Sequence, residues 1–124
     1  MTKPLVSIIT PCYNGEAFLK RYFESILNQT YPNLELIFIN DGSTDRTEEI
    51  ALSYRERLEK RGITYIYEKQ ENAGQAAALN RGLKLFTGEY LTWPDSDDEM
   101  VSDAVEKKVD LSLIDISEPT RHSL

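Results

Sequence analysis

A chain of 124 residues that is 40% apolar and 28% charged is long enough for one domain with a real core and too short for two. Its net charge of −7 and pI near 4.7 argue against a nucleic-acid backbone or an anionic membrane as the main partner, since no basic face offsets the acidic excess. One cysteine, Cys12, rules out an intrachain disulfide, and no run approaches the roughly 20 apolar residues of a membrane span or the pattern of a signal peptide, so a cytoplasmic protein is expected.

Residues 5–10 (LVSIIT) are β-branched and almost continuously apolar, which predicts a strand buried on both faces of a parallel sheet. Phe18, Leu19, Tyr22, Phe23, Ile26 and Leu27 then recur at helical spacing. Residues 34–40 (LELIFIN) predict a second strand. Ile50, Ala51, Tyr54 and Leu58 mark a second helix, whose start STDRTEE sets Asp45 and Glu48 three apart, as in a helix cap. Residues 63–68 (ITYIYE) predict a third strand, and the alanine-rich residues 74–86 a third helix with Gly88 just beyond as a stop signal. A fourth strand follows at residues 89–93 (EYLTW). The order β-α-β-α-β-α-β predicts an α/β fold: parallel pairing through right-handed crossovers, giving a three-layer α/β/α, mostly parallel, Rossmann-like sheet.

In such sheets ligands bind beyond the carboxyl ends of the strands, near the point where strand order reverses. Each predicted strand ends in a polar or turn-forming cluster: Thr10-Pro11-Cys12-Tyr13-Asn14, Asn40-Asp41-Gly42-Ser43, Glu71-Asn72-Ala73-Gly74, and the acidic run from Asp95 to Glu99 in WPDSDDEM. All four belong to one edge. Carboxylates crowded in this way repel unless a cation or solvent separates them. Taken by itself, the acidic run is equally at home as a solvated turn at a helix start. Asp95 and Asp97, with a small serine between them, can face one hard divalent cation. Oxygen-only ligation suits Mg²⁺ or Mn²⁺, whose shells phosphate oxygens complete, and the lack of a nearby His or Cys argues against zinc. Such a cation would let an acidic protein hold a diphosphate. Asp41 is placed to accept from a base N–H or a ribose hydroxyl, or else to form an Asx-type turn. Tyr13 is either a stacking face for a base or a half-buried loop residue. Gly74 permits close backbone approach at a helix start, where N–H groups favour phosphate. No G-x-G-x-x-G follows the first strand and no G-x-x-x-x-G-K-[ST] is present, which disfavours a dinucleotide-binding dehydrogenase and a phosphate-loop NTPase. The only histidine, His122, has no nucleophile beside it, so a hydrolase triad is unsupported.

The ordered set VSIITPCYNGEAFL, LELIFINDGSTDRT, ENAGQAAALNRGL and GEYLTWPDSDD resembles the nucleotide-binding half of family 2 glycosyltransferases with the GT-A fold, over residues 4–105. The resemblance implies that Pro11 and Tyr13 form the uracil-side loop, with Tyr13 stacking on the base, and that Asp41 reads the base. It implies that Asn72 and Gly74 lie beside the nucleotide and that Asp95 and Asp97 are the D-x-D pair. In that pair Asp97 is the direct ligand of Mn²⁺ or Mg²⁺ and Asp95 lies near the ribose or in the metal's shell, with Asp98 behind them. It also implies transfer of a sugar from a nucleotide donor, most often UDP-linked, with inversion, to a carbohydrate or lipid-linked acceptor, the metal stabilising the leaving diphosphate. The full-length enzyme would be cytoplasmic or membrane-associated.

Two departures accompany the resemblance. Ser102 occupies the region where the family often has a proline, and the stretch LSLIDISEPTRHSL, with period-two alternation at Leu111, Leu113 and Ile116, does not resemble the family's continuation. Residues 1–108 are therefore expected to form the nucleotide-sugar-binding half-domain, and residues 109–124 an atypical tail, truncated or frame-altered. Such a chain is expected to lack the general base that relatives carry beyond the acidic motif. It would also expose a sheet edge that the tail or a second copy of the chain covers. The rival readings are a non-catalytic nucleotide-sugar binding module and a sugar nucleotidyltransferase. The latter would want a glycine-rich loop where TPCYNGE offers one glycine.

Overall fold

A computed structural model describes residues 3–94, 100–115 and 122–123 of the chain. β1 (Val6–Cys12) is central, paired in parallel with β2 (Leu34–Asp41) on one side and β4 (Tyr90–Thr92) on the other. β3 (Thr64–Gln70) adds to β2, and the two-residue β5 (His122–Ser123) adds to β4, giving the order β3-β2-β1-β4-β5 with every pair parallel. Strand order therefore reverses at β1, which sends its successor to one side and receives β4 on the other. The crevice at the carboxyl end between β1 and β4 is the topological switch point.

Alternate strand residues supply two cores. Val6, Ile8, Leu34, Leu36 and Phe38 face one side, where α1 (Leu19–Leu27) contributes Leu19, Tyr22, Phe23 and Ile26. The same side holds Ala51 of α2 (Thr47–Ser53), Leu58 of α3 (Arg55–Lys60), and Val105 and Val109 of α5 (Ala104–Asp115). Ile9, Ile37, Ile39 and Leu91 face the other side, against Ala78 of α4 (Gln75–Leu83). This is the expected three-layer α/β/α arrangement, and it explains why β1 and β2 read as unbroken apolar runs: both of their faces are covered. Phe23 anchors the larger core, its ring 5.6 Å from that of Phe38 and 4.8 Å from that of Tyr54.

Four local expectations need correction. The second helix is two, interrupted at Tyr54, because that residue turns its ring onto Phe23 while its hydroxyl donates to Glu24. Glu48 does not close a cap with Asp45; it accepts from the Tyr67 hydroxyl and pairs with Lys69. Gly88 does not stop the third helix, which ends at Leu83; the Gly88 N–H donates to Ser7 Oγ alongside β1. The alternation at Leu111 and Leu113 falls within α5, so that part of the tail is helical rather than extended. Ile116 and the segment to Arg121 lie outside the described residues.

Candidate functional site

The strand ends are joined by side chains that bridge loops far apart in sequence. After β1, Asn14 adopts a left-handed conformation (φ 51°), and the following loop is laced to the one after β2. The Asn14 N–H donates to Ser43 Oγ at 2.9 Å, the Gly15 N–H to Thr47 Oγ1 at 2.9 Å and the Glu16 N–H to Asp45 Oδ2 at 3.0 Å. In return the Thr44 N–H donates to Asn14 Oδ1 at 2.8 Å and the Arg46 N–H to Glu16 Oε1 at 3.1 Å. Asp45 also accepts the Thr47 N–H and hydroxyl. Burial would raise its pKa, but these donors outweigh that effect and hold the carboxyl below its ordinary value. Asp45 is thus a fastener between two loops as well as a residue at the α2 start.

Asp41, the last residue of β2, is 3% exposed and organises the loop after β3. Its Oδ1 accepts from Gln70 Nε2 at 2.9 Å and the Ala73 N–H at 2.9 Å. Its Oδ2 accepts from the Gly74 N–H at 3.0 Å and Asn72 Nδ2 at 3.3 Å. Burial acts to raise the Asp41 pKa, and the bonds from Gln70, Ala73 and Gly74 overcome it, keeping the group ionised well into acid. Asn72 Nδ2 also donates to the Asp41 carbonyl at 3.0 Å. The approach of this loop leaves no room beside β2: a Cβ on Gly42 would lie 2.5 Å from the Asn72 nitrogen, and Gly42 has φ of +70°.

Of the residues singled out in the sequence, Asn72 and Gly74 both donate to Asp41, and Pro11 and Tyr13 lie at the end of the neighbouring strand. Tyr13 is 53% exposed and so offers a free ring face. Gly74 precedes α4 with φ of +99°, a conformation that favours glycine, and nothing would meet a Cβ there within 4 Å. Its N–H is turned onto Asp41. β4 delivers the chain to Trp93 and Pro94 at the same edge. Asp95, Asp97 and Asp98 lie outside the described residues, and among the described residues no group of three His, Cys, Asp or Glu could hold a metal ion.

Two glutamines that the sequence reading did not single out hold this region. Gln29, buried at the end of α1, donates to the Val101 carbonyl at 2.8 Å and accepts the Val105 N–H at 3.2 Å. Its neighbour Thr30 donates its N–H to the Ser102 carbonyl at 2.7 Å and its hydroxyl to Glu106 at 2.6 Å. The chain is thereby gripped just after the acidic run. Gln70 is the second, and only its position at the end of a strand could have drawn attention to it.

The sequence profile of glycosyl transferase family 2 matches residues 7–112. The chain belongs to that family. A relative, an uncharacterized glycosyltransferase of Rickettsia typhi, is 44% identical over 108 residues, covering 87% of this chain and 32% of its own length. Among solved structures, Staphylococcus aureus TarS 1–349 in complex with UDP superposes with a TM-score of 0.79 at 25% identity, over 89% of this chain and 32% of its own. The mannosyltransferase PcManGT of Pyrobaculum calidifontis, in complex with GDP-Man and Mn²⁺, superposes with a TM-score of 0.69 at 32% identity, over 77% of this chain and 28% of its own. The chain thus spans about a third of the length of these glycosyltransferases. No helix among the described residues is long and apolar enough to cross a membrane.

Proposed function

We propose that this family 2 chain is the donor-binding portion of an inverting, metal-assisted transferase that uses a nucleotide sugar, with UDP as the nucleotide. The observation that carries the reading is an ionised, buried Asp41 that gathers the β3–α4 loop at the carboxyl edge of a parallel sheet, where the β1 loop is laced to the β2 loop beside it. In this reading Pro11 and Tyr13 line the base, Tyr13 stacking on it, and Asp41 reads its edge. Asn72 and Gly74 bring the β3–α4 loop against the nucleotide. Asp95 and Asp97 hold Mn²⁺ or Mg²⁺, since their donor set is hard oxygen alone, and the bound ion would stabilise charge on the leaving diphosphate. The UDP bound by TarS and the GDP-Man and Mn²⁺ bound by PcManGT support a nucleotide donor and a divalent ion in relatives of this fold.

Titration calorimetry of UDP with and without Mn²⁺ tests this reading. Metal should strengthen binding in the unmodified protein, and Asp97→Ala should abolish the enhancement without unfolding the chain. Equal affinity with and without metal would remove the ion from the reading.

Transfer to an acceptor needs a general base within hydrogen-bond reach of the acceptor hydroxyl. The described carboxylates fixed at this edge, Asp41, Asp45 and Glu48, already accept hydrogen bonds from their own chain. These 124 residues by themselves are therefore proposed to bind donor without efficient transfer, behaving as a nucleotide-sugar binding module. Acceptor-dependent UDP release at about 1 s⁻¹ or faster, an ordinary enzyme turnover, would refute that.

A further inference from the structure

Asp41 is the proposed base reader, yet its carboxylate is saturated: both oxygens already accept from two donors each. A base N–H can reach it only if one donor leaves. The Ala73 and Gly74 N–H groups are main chain, set by the turn into α4. Asn72 is held a second time, by the Asp41 carbonyl. Gln70 is different. Its carboxamide hangs on a flexible side chain at the end of the edge strand β3, half-buried, and it lines an open recess with Gly42, Ser43, Lys69, Glu71 and Asn72. Because it faces a carboxylate, the group on Oδ1 must be its NH₂, so the orientation of the amide follows from its chemistry.

We propose that Gln70 is a specificity-determining residue of the nucleotide site: its carboxamide is displaced from Asp41 by the incoming base and becomes, beside that carboxylate, the donor half of a pair that selects uracil. The proposal rests on the reading of this edge as the nucleotide site. Uracil presents a ring N–H flanked by carbonyl oxygens. The N–H takes the place of Gln70 on Asp41 Oδ1, and the Gln70 NH₂ donates to the adjacent 4-carbonyl oxygen, the one that cytosine replaces by an amino group. No hydrogen bond is lost in the exchange, while the Ala73 and Gly74 N–H groups keep the carboxylate ionised and aimed. Cytosine in the same pose, fixed by its ribose and by the Tyr13 face, would set a ring nitrogen lone pair against the carboxylate and an amino group against the Gln70 NH₂. Both contacts would then be mismatched, and a mismatch that leaves polar groups unpaired discriminates far more than a missing methyl group does.

The test is calorimetric titration of the full chain with UDP and with CDP in Mn²⁺, comparing the unmodified protein with Gln70→Met, which keeps the length and removes the donor, and Gln70→Glu, which replaces it by an acceptor. Thermal unfolding of each variant is followed in parallel. The expected result is a preference for UDP over CDP that falls about fivefold to tenfold in Gln70→Met, the scale of one hydrogen bond. In Gln70→Glu it falls further, and both variants keep a melting transition. A UDP to CDP ratio unchanged in Gln70→Met, or the two nucleotides weakened equally, would overturn the proposal and reduce Gln70 to a structural brace on Asp41. Unmodified protein that binds UDP and CDP equally overturns it in another way, by removing the base-reading site itself. A preference lost in Asp41→Ala but retained in both Gln70 variants leaves that site standing and sinks only the role of Gln70.

Discussion

Replacing Asp41 by alanine should release the β3–α4 loop while leaving the sheet intact. The carboxylate accepts four hydrogen bonds, from Gln70, Asn72, Ala73 and Gly74. A hydrogen bond to a charged group contributes about 1.5 to 3 kcal/mol and an ordinary intramolecular one about 0.5 to 1.5; solvent access at the donors brings these toward the ordinary range. All four donors lie on exposed or half-buried residues and regain water once freed, so the lower figure applies and the bonds sum to roughly 2 to 6 kcal/mol. The loop also regains backbone freedom at about 1 to 2 kcal/mol per residue when it lets go. Local release therefore costs less than the sum, and a global loss of about 1 to 2 kcal/mol is expected. Urea unfolding measures the global term, and amide hydrogen exchange at Ala73 and Gly74 measures the local one. Both amides should lose their protection in Asp41→Ala while those of β1 and β2 keep theirs. Retained protection at both positions would show that the loop is held by something other than this carboxylate.

Three more outcomes follow from the same geometry. Phe23→Ala, which empties a fully buried ring site between Phe38 and Tyr54, should cost about 3 to 5 kcal/mol in urea unfolding. Glu35→Ala strands the buried hydroxyl donor of Ser7 at the amino edge of the sheet, while the exposed Thr87 donors turn to water, and should cost about 1 to 3 kcal/mol, yet UDP affinity should hold because the proposed nucleotide edge is the opposite one. Asp41 and Asp45 both titrate below the ordinary carboxyl value of 3.8, so the stability their bonds supply is complete above that value and is lost as pH falls through their depressed values. The urea midpoint should decline in that acid range, and the decline should be shallower in a double Asp41→Asn, Asp45→Asn variant.

β1 and β2 were legible because their residues are buried on both faces, which leaves a nearly continuous apolar signature that no exposed helix shares. Pro11, Tyr13, Asp41, Asn72 and Gly74 could be assembled at one edge because parallel connectivity fixes where strand ends go, whatever the loops do. What Asp41 does in the folded chain was not legible. Its partners lie 29 to 33 residues downstream, and no local pattern says that a carboxylate after one strand will accept from the loop after the next. Asp45 misled in the same way, because an acid three residues before another reads as a local cap while one of its partners, Glu16, is 29 residues upstream. The break at Tyr54 was hidden because Ile50, Ala51, Tyr54 and Leu58 keep helical spacing straight through it; the cause is tertiary, the ring of Tyr54 on Phe23. The helix at 111–115 was not legible because Leu111 and Leu113 alternate by two within a stretch too short for periodicity to separate strand from helix.

The grip of Gln29 and Thr30 on Val101, Ser102 and Val105 has a consequence for how this region tolerates change in evolution or engineering. On one side of the acidic run the chain is pinned by the β1–β4 register at Thr92, and on the other by the end of α1. With both ends moored to the rigid body of the domain, an added or deleted residue between them has nowhere to go but into the run that carries the carboxylates. Single-residue exchanges there should be far easier to accommodate than changes of length, so a library of insertions and deletions across residues 93–101 should lose the proposed Mn²⁺-dependent UDP binding wholesale, while a substitution library over the same stretch should lose it only at the aspartates proposed to hold the ion.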